Sequence, residues 1–201
     1  LLTGDDRFRE SAEDVARRAS ALWTRPGHTG GSGFWTERHA GFALLAYVWA
    51  RIVTDDQAAF FESKADAAVD AYLAMQTNNA TSYSDANTRC FAHTAAAHGE
   101  SFSSTWGCSP WMSAILADGL DAYATDRGGS RATAARNGIV KLGRLIATQG
   151  RDSRGKPYYW IGLGSQRDET DAYNEHWSES AYVVAMAWHH GGRTDNALRT
   201  A

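Results

Sequence analysis

Two kinds of helical segment alternate along the chain, and this alternation restricts the fold more than any other feature. Segments 34–53 and 175–188 are apolar on nearly all sides, so other elements must cover most of their surface. Segments 57–75 and 131–148 carry one apolar stripe and a charged opposite face, which is typical of helices at a protein surface. The pattern predicts an all-α fold in which covered inner helices alternate with amphipathic outer ones.

Three further helices complete this pattern. Residues 11–23 have helical apolar spacing, and a helix begins again at Asp195. The pair Ser109-Pro110 marks the start of a helix over 111–123, because serine is a good N-cap and proline suits the first helical position. The helices therefore follow one another as hairpins joined by loops.

Composition narrows the class of protein. The chain has 201 residues, 43% of them hydrophobic, which suits a single globular domain over residues 1–201. A net charge of −3 and the lack of a Lys/Arg run argue against nucleic-acid binding. No uncharged apolar run approaches the ~18 residues of a membrane span. We expect the domain to be part of a longer chain and to associate with the remainder of that chain.

A weak internal repeat supports the hairpin arrangement. Trp35 and Tyr47 are 12 positions apart, as are Trp111 and Tyr123, and each tyrosine follows an alanine. A third unit begins at Trp177 and keeps nearly the same register. Each unit starts with an inner helix, and the loops between units differ in length.

Three stretches carry a resemblance to a known architecture: FWTERHAGFALLAYVWA, WGCSPWMSAILADGLDAYA and NEHWSESAYVVAMAWHHGG. From Phe34 onward the chain resembles the (α/α)-toroid carbohydrate-active enzymes, both six-hairpin glycosidases and toroidal polysaccharide lyases. The resemblance is one of architecture and assigns no catalytic residue. It implies helical hairpins arranged as an (α/α) toroid or, given the few hairpins present, a partial toroid. A plain helical bundle or solenoid is the alternative.

In such an arrangement the starts of the inner helices converge on one mouth, and polar and aromatic residues cluster at these starts. The candidate catalytic residues are His39, His98, Glu175 and His176. The candidate substrate-binding residues are Glu37, Arg38, His93, Glu100, Trp106, Trp111, Tyr159, Asn174, Trp177 and Glu179. We expect Trp106, Trp111, Tyr159 and Trp177 to offer stacking surfaces for sugar rings.

The motif YNEHWSES is the most specific of these clusters. Glu175 and Glu179 are four positions apart and share a helix face, with His176 beside them. Two carboxylates and a histidine are suited to acid–base cleavage of a glycosidic bond. The alternative is structural, since Asn174 is a good N-cap and Glu175 complements the helix dipole.

A polysaccharide lyase would use a different set of residues. It needs a cation such as Arg38 to neutralise the substrate carboxylate, and a base such as Tyr159 or His176 to remove a proton. Lyase and hydrolase both remain open, and either would act on an acidic poly- or oligosaccharide. A non-catalytic helical-repeat binding or scaffold domain is the alternative from another class.

The two cysteines allow a third alternative. Cys90 and Cys108 are 18 positions apart, a spacing that suits a disulfide or, with one histidine, a zinc site. His93 and His98 are five apart and do not fit the H-E-x-x-H spacing. A zinc-dependent enzyme stays an alternative, but we expect no metal and no cofactor. We expect a periplasmic or secreted protein rather than a cytoplasmic one.

Other aromatic residues are interpreted structurally. Tyr47, Trp49, Tyr123 and Trp188 lie on inner helices, and we expect them in the core. Segment 155–165, with aromatic residues between glycines, is predicted to form a short β-hairpin at the mouth.

Overall fold

A computed structural model describes residues 5–22, 36–78, 86–94, 106–162 and 176–201. Within these residues the helices are α1 (Asp6–Leu22), α2 (Glu37–Val53), α3 (Ala58–Asn78), α4 (Pro110–Arg127), α5 (Gly129–Gln149), α6 (Trp177–His190) and α7 (Asn196–Arg199). The strands are β1 (His93–Thr94), β2 (Trp106–Cys108) and β3 (Ile161–Gly162). The chain is mostly helical, which confirms the all-α prediction.

Helices α2, α4 and α6 form an inner row, because α4 packs between α2 and α6. Helices α3 and α5 contact each other and pack against this row from outside, and α1 packs against α2. Arg51 in the last turn of α2 pairs with Asp126 in the last turn of α4, while Glu37 in the first turn of α2 reaches Ser109 at the start of α4. Helices α2 and α4 are therefore parallel.

Glycines set how closely neighbouring helices approach. A Cβ at Gly41 would lie 2.5 Å from the carbonyl carbon of Ile115, so the backbones of α2 and α4 touch at this point. A Cβ at Gly143 would lie 2.2 Å from the Cβ of Ala187, which brings α5 equally close to α6. Any larger residue at either position would push two helices apart.

The apolar stripes of the outer helices form the core beneath the inner row. On α3 the buried residues include Phe61, Ala65, Ala68, Val69 and Tyr72. On α5 they include Ile139, Leu142 and Leu145. Both sets match the stripes predicted from helical spacing, so the one-sided helices were correctly placed at the surface.

Helix α2 differs from its prediction, because one of its faces is open. Trp49 is 54% exposed, and Phe42 and Ile52 are also exposed. The prediction of Trp49 in the core is therefore wrong, whereas Tyr47 and Tyr123 are buried as expected. Trp188 is only partly buried. Apolar residues all round a helix show that it is mostly covered, but not which face remains open.

A small antiparallel sheet in the order β1–β2–β3 was not predicted. His93 pairs with Gly107, and Cys108 pairs with Ile161. Cys90 and Cys108 form a disulfide beside the first pairing. The hairpin predicted over 155–165 extends past residue 162, where the described part of this segment ends; within that part, β3 pairs with the distant β2. Strands of two or three residues are too short to show an alternating pattern in sequence.

Candidate functional site

The starts of α2, α4 and α6 meet at one end of the inner row, and Trp111 lies at the centre of this meeting point. The His176 imidazole stacks on the Trp111 ring, with 4.3 Å between centroids and 7° between planes. The Arg38 guanidinium carbon lies 5.4 Å from the same ring. The Tyr159 ring is 5.9 Å from Trp111 and 5.9 Å from His176. We call these four residues the aromatic cluster.

Each member of the aromatic cluster comes from a different element. Arg38 lies in the first turn of α2, Trp111 follows Pro110 at the start of α4, and His176 is the N-cap of α6. Tyr159 comes two residues before β3, whose pairing with β2 brings it next to α4. Residues far apart in sequence thus meet because three parallel helices begin side by side.

His176 lies next to a carboxylate as well as an aromatic ring. Its Nδ1 is 3.7 Å from Oε1 of Glu179, one helical turn further along. The Ser178 hydroxyl donates to the other Glu179 oxygen at 2.9 Å. The His176 side chain is 18% exposed, and its Nδ1 is buried.

The indole N–H of Trp111 is buried, and no described residue provides a hydrogen-bond partner for it. An unpaired buried donor costs about 1–3 kcal/mol, and such groups are rare in native structures. The Arg38 guanidinium lies over the ring of the same residue. An acceptor-rich group on a ligand would suit this arrangement.

Glu37 and His93 lie in the interior behind this cluster. Their side chains are fully buried, and Nδ1 of His93 is 2.8 Å from Oε2 of Glu37. The other Glu37 oxygen accepts the backbone N–H of Ser109 at 3.1 Å. Both residues were predicted to bind substrate. In this structure they link α2, β1 and α4, and neither side chain reaches solvent.

Three other predicted residues lie apart from the stacked rings. His39 turns its Nδ1 to Thr36 at the cap of its own helix, 3.1 Å from the hydroxyl oxygen. Trp106 is on β2, partly buried against the core. Trp177 is 44% exposed and lines a cavity of about 430 Å³ between α5, α6 and α7. The predicted residues His98, Glu100, Asn174 and Glu175 lie outside the described residues.

The disulfide decides the role of the two cysteines. Because Cys90 and Cys108 are bonded to each other, neither offers a thiolate to zinc. Within the described ranges, no group of three or more His, Cys, Asp or Glu residues is placed to hold a metal ion. None of the described helices is long and apolar enough to cross a membrane.

The open face of α2 belongs to a groove that the sequence did not reveal. Leu45, Trp49 and Ile52 form one wall, and Asp118 and Ala122 of α4 form the other, enclosing about 560 Å³. Leu45, Trp49 and Ile52 are spaced so that they share one face of α2. This spacing is the feature of the sequence from which an apolar surface could have been predicted.

A tyrosine of α6 bonds Asp118, one of the residues that line this groove. The Tyr182 hydroxyl donates to Oδ1 of Asp118 at 2.6 Å. This bond, with partial burial and the negative charges of Asp118 and Asp121, raises the pKa of Tyr182 to about 12.

Ser109 has a contact that its sequence position did not suggest. It was predicted as the N-cap of α4, and it occupies that position, but its hydroxyl makes no bond to its own helix. The hydroxyl instead donates to the backbone carbonyl of Tyr159 at 2.8 Å. Nothing local in the sequence signals a contact across 50 positions.

Comparison with known protein families, with characterised proteins and with solved structures finds no match to this chain. The geometry of the described residues is therefore the basis for assigning a function.

Proposed function

We propose that this protein is a carbohydrate-active enzyme that cleaves an acidic poly- or oligosaccharide by β-elimination. The observation that carries the proposal is the meeting of Arg38, Tyr159 and His176 around Trp111. A cation and two groups able to exchange protons are the parts that elimination next to a carboxylate requires. All three belong to the set expected of a lyase.

In the proposed reaction, Arg38 binds the uronate carboxylate and stabilises the negative charge that develops on it. His176 removes the proton from C5, and the electrons of the broken C5–H bond form the C4–C5 double bond. The glycosidic oxygen leaves from C4 and takes a proton from the Tyr159 hydroxyl. The products are a new chain end and an unsaturated sugar.

Hydrolysis remains the second candidate because Glu179 lies 3.7 Å from His176. A glycoside hydrolase commonly needs two carboxyl groups about 5–10 Å apart. Glu37 is fully buried, so it is a poor choice for the second one. Hydrolysis would therefore depend on Glu175, the partner proposed from the sequence motif.

A non-catalytic binding domain is supported by a different observation. The groove beside α2 exposes Trp49, and Phe42 and Tyr182 are also exposed on their helices. Exposed aromatic faces bind sugar rings without any chemistry. In this alternative, the aromatic cluster would hold a sugar but would not cleave it.

The row of parallel inner helices supports a toroid or partial toroid as the architecture. Outer helices back this row, and the candidate residues lie at the helix starts, where a toroid has its mouth. The buried disulfide supports a periplasmic or secreted location, because such bonds persist in oxidising compartments.

The test is a panel of polyuronates, glycosaminoglycans and neutral glucans, followed by ultraviolet absorbance and by a reducing-end assay. A lyase yields both signals in step on at least one uronate polymer and on no neutral glucan. New reducing ends without ultraviolet absorbance would show that the bond is cleaved by hydrolysis and not by elimination. If neither signal appears with any polymer, the enzyme proposal is overturned, and calorimetric binding to the same panel then tests the binding domain.

A further inference from the structure

Ser109 connects the interior of the protein to the aromatic cluster. It lies between Cys108 of β2 and Pro110 of α4 and is fully buried. Its backbone N–H donates to Glu37, and its hydroxyl donates to the carbonyl of Tyr159. An N-cap serine ordinarily turns its hydroxyl to the first turn of its own helix. Here that capping bond is replaced by a bond to a separate segment.

Glu37 holds Ser109 in place. The carboxylate is fully buried and fixed on both sides, by Nδ1 of His93 at 2.8 Å and by the Ser109 N–H at 3.1 Å. Its position in the first turn of α2 is also favoured by the helix dipole. The start of α4 is therefore fixed relative to α2, the helix that carries Arg38.

We propose that Ser109 is a positioning residue: Glu37 holds its backbone N–H, and its hydroxyl fixes the backbone of Tyr159 and with it the phenol beside His176. The inference deepens the proposed function, in which Tyr159 gives its proton to the leaving oxygen. A shift of about 1 Å in a reacting group can lower a rate about 100-fold. A single backbone contact at the base of a catalytic side chain is thus enough to affect the reaction.

The chain offers a matched control for this test in Ser113. Both serines are fully buried near the start of α4, and each hydroxyl donates to a backbone carbonyl at 2.8 Å. The Ser113 hydroxyl, however, donates to the carbonyl of Ser109, the N-cap of the helix that contains Ser113. Ser109→Ala is expected to lower kcat about 10- to 100-fold with KM nearly unchanged, while Ser113→Ala changes kcat less than about threefold.

A double-mutant cycle separates positioning from a general structural effect. If Ser109 acts through Tyr159, adding Ser109→Ala to Tyr159→Phe lowers kcat no further than Tyr159→Phe alone. Fully additive losses would overturn the inference. Because glycine is a good N-cap, Ser109→Gly is a second variant that removes the hydroxyl, should Ser109→Ala fail to fold.

A spectroscopic measurement tests the inference without any substrate. In protein labelled at the tyrosine Cζ carbon, the Tyr159 resonance, assigned with Tyr159→Phe, is expected to move in Ser109→Ala and to stay in place in Ser113→Ala. An unmoved resonance in both Ser109 variants would overturn the inference, even if cleavage is found. A moved resonance without any cleavage would support the positioning contact while the proposed function fails.

Discussion

The two ends of the inner helices are joined in different ways. At their starts, α2, α4 and α6 meet through stacked rings and a buried carboxylate shared between segments. At their far ends, the links are contacts of partly exposed polar groups: Arg51 forms an ion pair with Asp126, and the His190 imidazole lies against Asp121. Exposed pairs hold helices together weakly, whereas the buried contacts fix side chains in one geometry. This difference supports placing the proposed site at the helix starts.

The largest expected effect comes from histidines placed at opposite ends of α6. His176→Ala should lower the cleavage rate about 100- to 10,000-fold, because it removes a general base. His189→Ala, in the last turn of the same helix, should keep the wild-type rate. Initial rates on the best substrate of the panel would measure both. Equal losses in the two variants would remove the functional distinction between the ends.

The disulfide lies at the same end of the helices as the aromatic cluster, and its removal should have the second-largest effect. Replacing Cys90 and Cys108 together by serine opens a loop of 18 residues, for which the chain-entropy estimate is about 3 kcal/mol of unfolding free energy. Urea denaturation would measure this loss, and wild-type protein under reducing conditions is the control. If the double-serine variant and the reduced wild-type protein are both as stable as the oxidised protein, the disulfide contributes nothing to the unfolding free energy.

A third pair of variants compares the two ends of the α2–α4 contact. At Gly41 an added methyl group meets the Ile115 backbone at 2.5 Å, and overpacking of this kind costs about 1–3 kcal/mol. Arg51→Ala, at the far end, breaks a bidentate ion pair with Asp126 whose side chains are 22% and 11% exposed, and it should cost about 1 kcal/mol, the upper end of the range for surface pairs. Thermal unfolding of both variants at low and high salt would measure the two losses of stability.

Salt provides the internal control for this comparison. The effect of Arg51→Ala should shrink as salt rises, because screening weakens an exposed pair. The effect of Gly41→Ala should not depend on salt, since it is steric. A larger loss from Arg51→Ala than from Gly41→Ala would contradict this account of how the helices are joined.

Much of the fold followed from helical periodicity, because apolar spacing records which side of a helix is covered. The stripe of α3 was predicted correctly for this reason. The start of α4 at Ser109-Pro110 was predicted correctly from the preferences of serine and proline at helix starts. The open face of α2 was missed because Trp49 and Tyr47 look equally apolar in sequence. Only the positions of neighbouring helices decide that Tyr47 is buried and Trp49 is not.

The site was less predictable than the fold. Arg38, Trp111, Tyr159 and His176 were all proposed from their places at helix starts or in an aromatic loop, and the structure brings them together. Glu37 has the same type of sequence position, yet it is fully buried with His93. The two cases differ only in contacts between separate elements of the fold, and local spacing carries no information about such contacts.

The smallest expected effect concerns the hydrogen bond between Tyr182 and Asp118, which joins α6 to α4 along the groove. The pKa of Tyr182 is raised to about 12, chiefly by this bond, above the ordinary value near 10. The raised pKa means that the protonated hydroxyl favours the folded state. This stabilisation is fully present below pH 10 and is lost as the pH rises through about 12.

Ultraviolet titration of the tyrosines would detect this shift, with Tyr182→Phe identifying the signal by difference. In Asp118→Ala the Tyr182 signal should titrate closer to 10, because both the acceptor and its negative charge are gone. Tyr123 provides the comparison, since its pKa is also raised to about 12 but through burial and Asp66. Its titration should not respond to Asp118→Ala. A Tyr182 signal that stays near 12 in this variant would mean that the surroundings, and not the bond between α6 and α4, set its pKa.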